Sequence, residues 1–233
     1  MNVDEKFKNL KDICNIIYES SIQTQENLDI LSKSHHQLND LKFWFSILND
    51  RPEYIILETA IKELEISMIT LNFGFYSKSY AGLRFFLERS LVAILFSSQE
   101  IELKLWEKGE RDTYWSEIID ENNGIFSSKF SRAFFPELKD EIKHYKKLTE
   151  KVYRECSEYV HGNNSAIQSV PCNLSYSLQS FNSWHRKFNA ITRIILFTLN
   201  LRYLKHLPYD KLKNLEDINS DNFNSIKAIQ ELY

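Results

Sequence analysis

The chain has 233 residues, with 29 Lys and Arg against 32 Asp and Glu and a formal net charge of −3. That size suits one large domain or two small ones and buries about 70% of the unfolded chain's surface, so no disulfide scaffold is required. The slightly acidic balance argues against a protein that coats duplex nucleic acid by broad phosphate neutralisation, but it is compatible with a small pocket that handles one phosphodiester.

Cys14, Cys156 and Cys172 are odd in number and widely spaced, with no C-x-x-C pair and no zinc-type clustering. They read as reduced thiols of a cytoplasmic protein. The opening Met1 to Lys8 mixes both charge signs and no apolar secretory run follows, so export is not expected. The most apolar stretch, Leu91 to Phe96, is far short of the roughly 20 residues of a membrane span, so it reads as a core helix and no membrane partner is expected. Only five Gly and four Pro against 16 Phe and 12 Tyr favour long helices packed by aromatic side chains.

In chain order, residues 4 to 20 carry Phe7, Leu10, Ile13, Cys14, Ile16 and Ile17 at helical spacing. A second helix from 24 to 48 presents Leu28, Leu31, His35, Leu38 and Phe45, either as a coiled-coil-like seam or as a bundle face. Asp50-Arg51-Pro52 reads as a helix start, with Asp50 capping and Pro52 in the first turn of a helix running to Asn72. Gly74 and Tyr76 to Ser79 punctuate. A strongly apolar central helix over 79–97 follows, carrying Leu83, Phe86, Leu87, Leu91 and Leu95.

Residues 98 to 135 suggest two or three short helices. Pro136 opens a long helix ended at His161 by Gly162, and 163–173 is a loop. A last long helix over 175–204 places Phe181, Trp184, Phe188, Ile191, Ile195 and Leu199 on one face. A polar tail with a short helix at 221–232 completes the chain. Period-two patterning is absent. The expected fold is all-α, a multi-helix bundle of long antiparallel helices in one domain. Residues 1–50 form an N-terminal helical extension, 52–204 the core and 205–233 a C-terminal tail.

The chemistry concentrates in residues 145–161. On a helical wheel Tyr145, Leu148, Val152, Cys156, Tyr159 and Val160 form the apolar side, opposite Lys147, Glu150, Arg154, Ser157 and His161. Arg154 and His161 differ by about 20° in direction and about 10 Å along the axis, so both can address one ligand. A solvated face at a helix end is the bland reading of such a stripe. Against it, His161 lies in the last turn, where the helix dipole favours a protonated ring, and the Gly162-Asn163-Asn164 turn leaves that ring accessible. Arg84 and Glu88, four residues apart on the central helix, read as a structural ion pair or as supports beside a functional site. His35, His36, His144, His185 and His206 have no metal-site spacing and read as surface or packing residues. No cluster of carboxylates has metal-binding spacing, so neither a metal nor a cofactor is expected.

Arg154, then Glu-Cys-Ser-Glu-Tyr-Val, then His161 resembles the mark of the HEPN superfamily, an arginine followed after four to six residues by a histidine near a helix end in a small helical bundle. Cys156 to Gly162 is similar to the Ser-x-Tyr-Val-His-Gly ending of bacterial proteins grouped with abortive-infection genes, and Leu83 to Glu88 is similar to a helix those proteins carry. The similar region spans residues 52–204. One departure is Glu155, an acid placed where the family often has a polar Asn, His or Asp.

The resemblance implies an HEPN-like core and a metal-independent endoribonuclease, in which the 2′-hydroxyl of RNA attacks and leaves a cyclic phosphate. Arg154 and His161 are then the catalytic pair. Ser157 orients His161 or bonds the phosphate, Lys147 contacts substrate, and Arg84 and Glu88 support the site. The family builds its site from two pairs and this chain has one, so a homodimer is implied. The implied setting is phage defence or a toxin, with an antitoxin or sensor protein as a further partner. The alternative is a non-catalytic helical dimerisation or interaction protein of such a system. Residues 1–50 either complete the bundle or dock that partner.

Overall fold

The computed structural model describes residues 2–233, with Ser165 for its backbone only. Among these the chain is all-α: α1 (Val3–Ile22), α2 (Gln25–Ile47), α3 (Tyr54–Asn72), α4 (Tyr76–Phe96), α5 (Glu100–Glu107), α6 (Trp115–Ile118), α7 (Ser128–Phe134), α8 (Ile142–His161), α9 (Asn164–Gln168), α10 (Leu178–Tyr203), α11 (Tyr209–Lys213), α12 (Glu216–Phe223) and α13 (Lys227–Gln230). No strand occurs among the described residues, and no helix there is long and apolar enough to cross a membrane.

Helices α4 and α10 form the centre, and α2, α3 and α8 pack around them. The Phe73-Gly74 turn returns the chain from α3 to α4, which buries Leu83, Phe86, Leu87 and the whole run Ser90 to Phe96. Close approach of α3 and α4 depends on Gly82, because a Cβ there would meet Ser67 Cβ at 2.7 Å. At that crossing the Ser67 hydroxyl donates to the Ser79 carbonyl at 2.6 Å. The Trp184 indole N–H of α10 donates between Ser67 Oγ (3.3 Å) and the Ser79 carbonyl (3.2 Å), tying three helices at one point. Helix α10 is buried all round from Ile194 to Leu201 and on one face before that, and its N-cap Ser177 accepts from the Ser180 N–H.

Several boundaries differ from the sequence expectation, each for a local reason. Tyr76 to Ser79 open α4 and do not punctuate before it, since Tyr76 and Ser79 are buried. Asp50 caps nothing: α3 begins at Tyr54, after Glu53, whose carboxylate instead accepts from Arg51 Nε at 2.9 Å and from the Tyr203 hydroxyl at 2.8 Å. Pro136 starts a single 3-10 turn that drops Leu138 into the core, and α8 begins only at Ile142. The 163–173 loop contains the short α9.

The segment beyond 204 is packed as well as polar. Leu215, Phe223, Ile226 and Ile229 join the core, and the expected helix at 221–232 is split between α12 and α13. Among the apolar residues expected to face inward from α1, Ile17 is buried, while Phe7 is 69% and Ile16 65% exposed. Helix α2 buries Leu38 and Phe45 as expected but also buries Asn27, Ser34, Gln37 and Asp40, leaving Leu28 and His35 outside.

Candidate functional site

The site face is the solvent side of α8, fixed by what the other side buries. Tyr145 stacks on Phe197 of α10 with centroids 3.7 Å apart, Val152 and Cys156 are buried, and Tyr159 stacks on Tyr80 of α4 at 3.8 Å. Burial pushes the Cys156 thiol up to about 12, so it is a packing group and not a nucleophile. Val160, expected on the apolar side, is 47% exposed. The helix stops where Gly162 takes the left-handed conformation, with φ at 64°. Its N–H and that of Asn163 both return to the Glu158 carbonyl, leaving His161 as the last helical residue.

Lys147, Arg154 and His161 are exposed and follow one another at intervals of seven residues, so they share one line along the helix. Among the described residues no hydrogen bond or ion pair occupies the side chain of Arg154 or His161. Neither residue lines the cavities found beside Lys143 and His185; the face is open. Ser157 is half-buried on the same face, and its hydroxyl donates to the Tyr153 carbonyl one turn back, at 2.7 Å. The hydroxyl proton is thus engaged by its own helix, and only a lone pair remains for a ligand or for His161.

Glu155 stands next to Arg154 in sequence but is drawn toward α10. Lys187 Nζ lies 3.3 Å from its carboxylate, with Lys151 Nζ at 4.0 Å. The same ammonium donates to Ser183 Oγ at 3.1 Å and sits 5.5 Å from the Tyr80 ring centre. An acid adjoining an anion site would repel phosphate, and here its charge is compensated within the protein.

Arg84 reaches α8 through an aromatic residue. Arg84 Nη2 donates to the Tyr153 hydroxyl at 2.8 Å, and the guanidinium carbon lies 4.9 Å from that ring's centre. Trp115 of α6 stacks on the same ring at 3.5 Å with 6° between planes. Glu88 lies 3.9 Å from Arg84 Nε, too long for a hydrogen bond, and Arg84 Nε is buried without one. Tyr153 sits about 100° round α8 from Arg154. Arg84 therefore braces the helix beside the site, with Glu88 near it on α4, and neither shares the open face.

Sequence reading did not single out Tyr153, Trp115, Tyr80 or Lys187. Trp115 lies in a segment of short helices, and the ring it stacks on, Tyr153, is on α8. Among the described residues no group of three or more His, Cys, Asp or Glu side chains is placed to hold a metal ion. No family model, curated protein or solved structure matches this chain.

Proposed function

We propose that the chain is a metal-independent endoribonuclease of the HEPN kind, with its site completed across a homodimer. The observation that carries this reading is the pairing of Arg154 and His161 on one open face of the last two turns of α8, both unengaged, while Lys187 holds the neighbouring Glu155 toward α10.

The chemistry asked of that face is modest. The 2′-oxygen of a ribose attacks the adjacent phosphorus, forming a 2′-O–P bond as the P–O5′ bond breaks, and leaves a 2′,3′-cyclic phosphate and a 5′-hydroxyl. His161 takes the proton of the 2′-hydroxyl, and the protonated imidazole of the second copy returns one to the departing 5′-oxygen. Arg154 binds the non-bridging oxygens and offsets the charge that grows on them. Lys147, one seven-residue step and about 10 Å before Arg154, contacts the substrate strand beyond the scissile phosphate. Phage defence or growth arrest by a toxin is the setting this activity suits, with an antitoxin or sensor as regulator.

A second reading has its own support. Val3 and Phe7 of α1 are 67% and 69% exposed, which favours a helical interaction protein whose Arg154 and His161 bind a partner and cleave nothing. The deciding experiment incubates wild type, Arg154→Ala and His161→Ala with total RNA in EDTA and measures oligomeric state for all three. Cleavage ending in cyclic phosphate, lost in both variants while they remain dimeric, is the expected result. A folded wild type that leaves RNA intact favours the interaction protein.

A further inference from the structure

In its amino-terminal half, before the apolar run that begins at Leu38, α2 buries polar side chains. Ser34 is 3% and Gln37 7% exposed, although Leu28 on the same helix is 42% exposed. Burying polar groups is unfavourable unless hydrogen bonds replace those lost to water, so such an inversion requires a reason. The Ser34 hydroxyl lies 2.7 Å from Nδ1 of His185 on α10. Beside this contact, between α2 and α10, is a cavity of about 310 Å³ whose wall includes Lys33, Ser34 and Gln37 from α2 and Asn182, His185 and Arg186 from α10.

Two buried polar atoms of that wall, Asn182 Oδ1 and His185 Nε2, have no hydrogen-bond partner among the described residues. Burial against Phe181 and Trp184 pushes the His185 pKa down to about 4, so at neutral pH the ring is an uncharged donor and acceptor. Whichever of Ser34 Oγ and Nδ1 donates in their contact, Nε2 is left as a donor or an acceptor without a partner. Lys33 and Arg186 are exposed and within 4.0 Å of no carboxylate among the described residues; Glu26 and Asn189 also line the cavity.

We propose that this cavity binds a mononucleotide, its phosphate held between Lys33 and Arg186 and its base edge met by Gln37, Asn182 and His185. The two cations match one phosphate, with the guanidinium fork suited to paired oxygens. Side-chain amides carry the donor and acceptor pairs that base edges present. An apolar ligand would leave Asn182 and His185 unpaired, and a bare inorganic anion would leave the amides unused. The volume falls at the small end of ligand pockets, where a mononucleotide fits and a polymer does not. The site shares no residue with the Arg154–His161 face, so it stands or falls independently of the ribonuclease reading.

The test is calorimetric titration of the full chain with AMP, GMP, CMP, UMP and inorganic phosphate, repeated on Lys33→Gln, Arg186→Gln and His161→Ala. The two charge variants alter exposed side chains, and thermal melts check that they fold as wild type does. The expected result is saturable binding of at least one nucleotide, weakened about tenfold or more in each charge variant and unchanged in His161→Ala. Failure of all four nucleotides to bind at millimolar concentration overturns the proposal. So does binding of inorganic phosphate as tight as that of the nucleotides, or nucleotide binding that survives both charge changes.

Discussion

Lys187 of α10 holds the carboxylate of Glu155 3.3 Å from its ammonium, and by doing so turns an acid away from the residue beside it, Arg154. The two side chains are 15% and 34% exposed, so the pair adds about 1 kcal/mol or less to stability. Its larger effect falls on the field at the site. Lys187→Met keeps the packing stem and leaves Glu155 uncompensated. RNA cleavage is expected to fall about tenfold in kcat/KM through repulsion of phosphate, and Lys187→Met/Glu155→Gln is expected to restore it. Cleavage by Lys187→Met equal to wild type would show that Glu155 has no influence on Arg154.

The brace formed by Arg84, Tyr153 and Trp115 gives a second expectation, in stability. Tyr153→Phe keeps the stacked ring but removes the acceptor for Arg84 Nη2, a group 2.8 Å away whose neighbouring Nε already lacks a partner. A loss of about 1 to 2 kcal/mol is expected in urea unfolding. Arg84→Lys should lose a similar amount, because one ammonium cannot both lie over the ring and bond its hydroxyl. Additive losses in the double variant would mean that the two residues act separately.

Periodicity carried the fold as far as it could. The apolar spacing of α4, α8 and α10 was readable because each buries a continuous stripe, and Gly162 marked the end of α8 because a left-handed C-terminal residue favours glycine. Helix α2 was legible only in part: Leu38 and Phe45 are buried, but the polar Asn27, Ser34 and Gln37 take the inward positions of its first half and leave Leu28 and His35 outside. Residues 205–233 hid their contribution for another reason: Phe223, Ile226 and Ile229 sit in helices too short to show a period. At the site, the common face of Arg154 and His161 follows from their spacing alone. The partners that shape it, Lys187 for Glu155 and Arg84 for Tyr153, come from other helices, and local spacing has no means of pairing them.

His185 makes stability depend on pH in a defined window. Its pKa is near 4 in the folded chain against 6.5 when free, so below 6.5 the unfolded state binds more protons than the folded one. Stability therefore falls as pH drops from 6.5 toward 4 and is unaffected by this group above 6.5. Between pH 7.5 and pH 5 the loss comes to about 2 kcal/mol. Urea unfolding of wild type and His185→Gln at both values separates this group from the carboxylates. The wild type should lose more than the variant, and equal losses would mean that His185 is already solvated in the folded chain.

Gly162 and Gly82 are both required, for different physical reasons, and the two are separable by experiment. At Gly162 the backbone has φ of 64° and a Cβ would meet nothing within 4 Å, so Gly162→Ala suffers only from the left-handed conformation, about 1 kcal/mol. Asparagine tolerates that conformation, and Gly162→Asn should recover most of the loss. Gly82 has an ordinary helical φ, but its Cβ would stand 2.7 Å from Ser67 Cβ. Gly82→Ala must therefore push α3 from α4 at the point where Trp184 ties them, with an expected loss of about 2 to 3 kcal/mol that asparagine would worsen. Because Gly162 adjoins His161, Gly162→Ala should also reduce RNA cleavage more than its stability change explains, through fraying of the last turn of α8. Thermal melts and cleavage rates measured together on the four variants check both halves, and a Gly162→Ala protein with unchanged cleavage would show that the helix end does not set the position of His161.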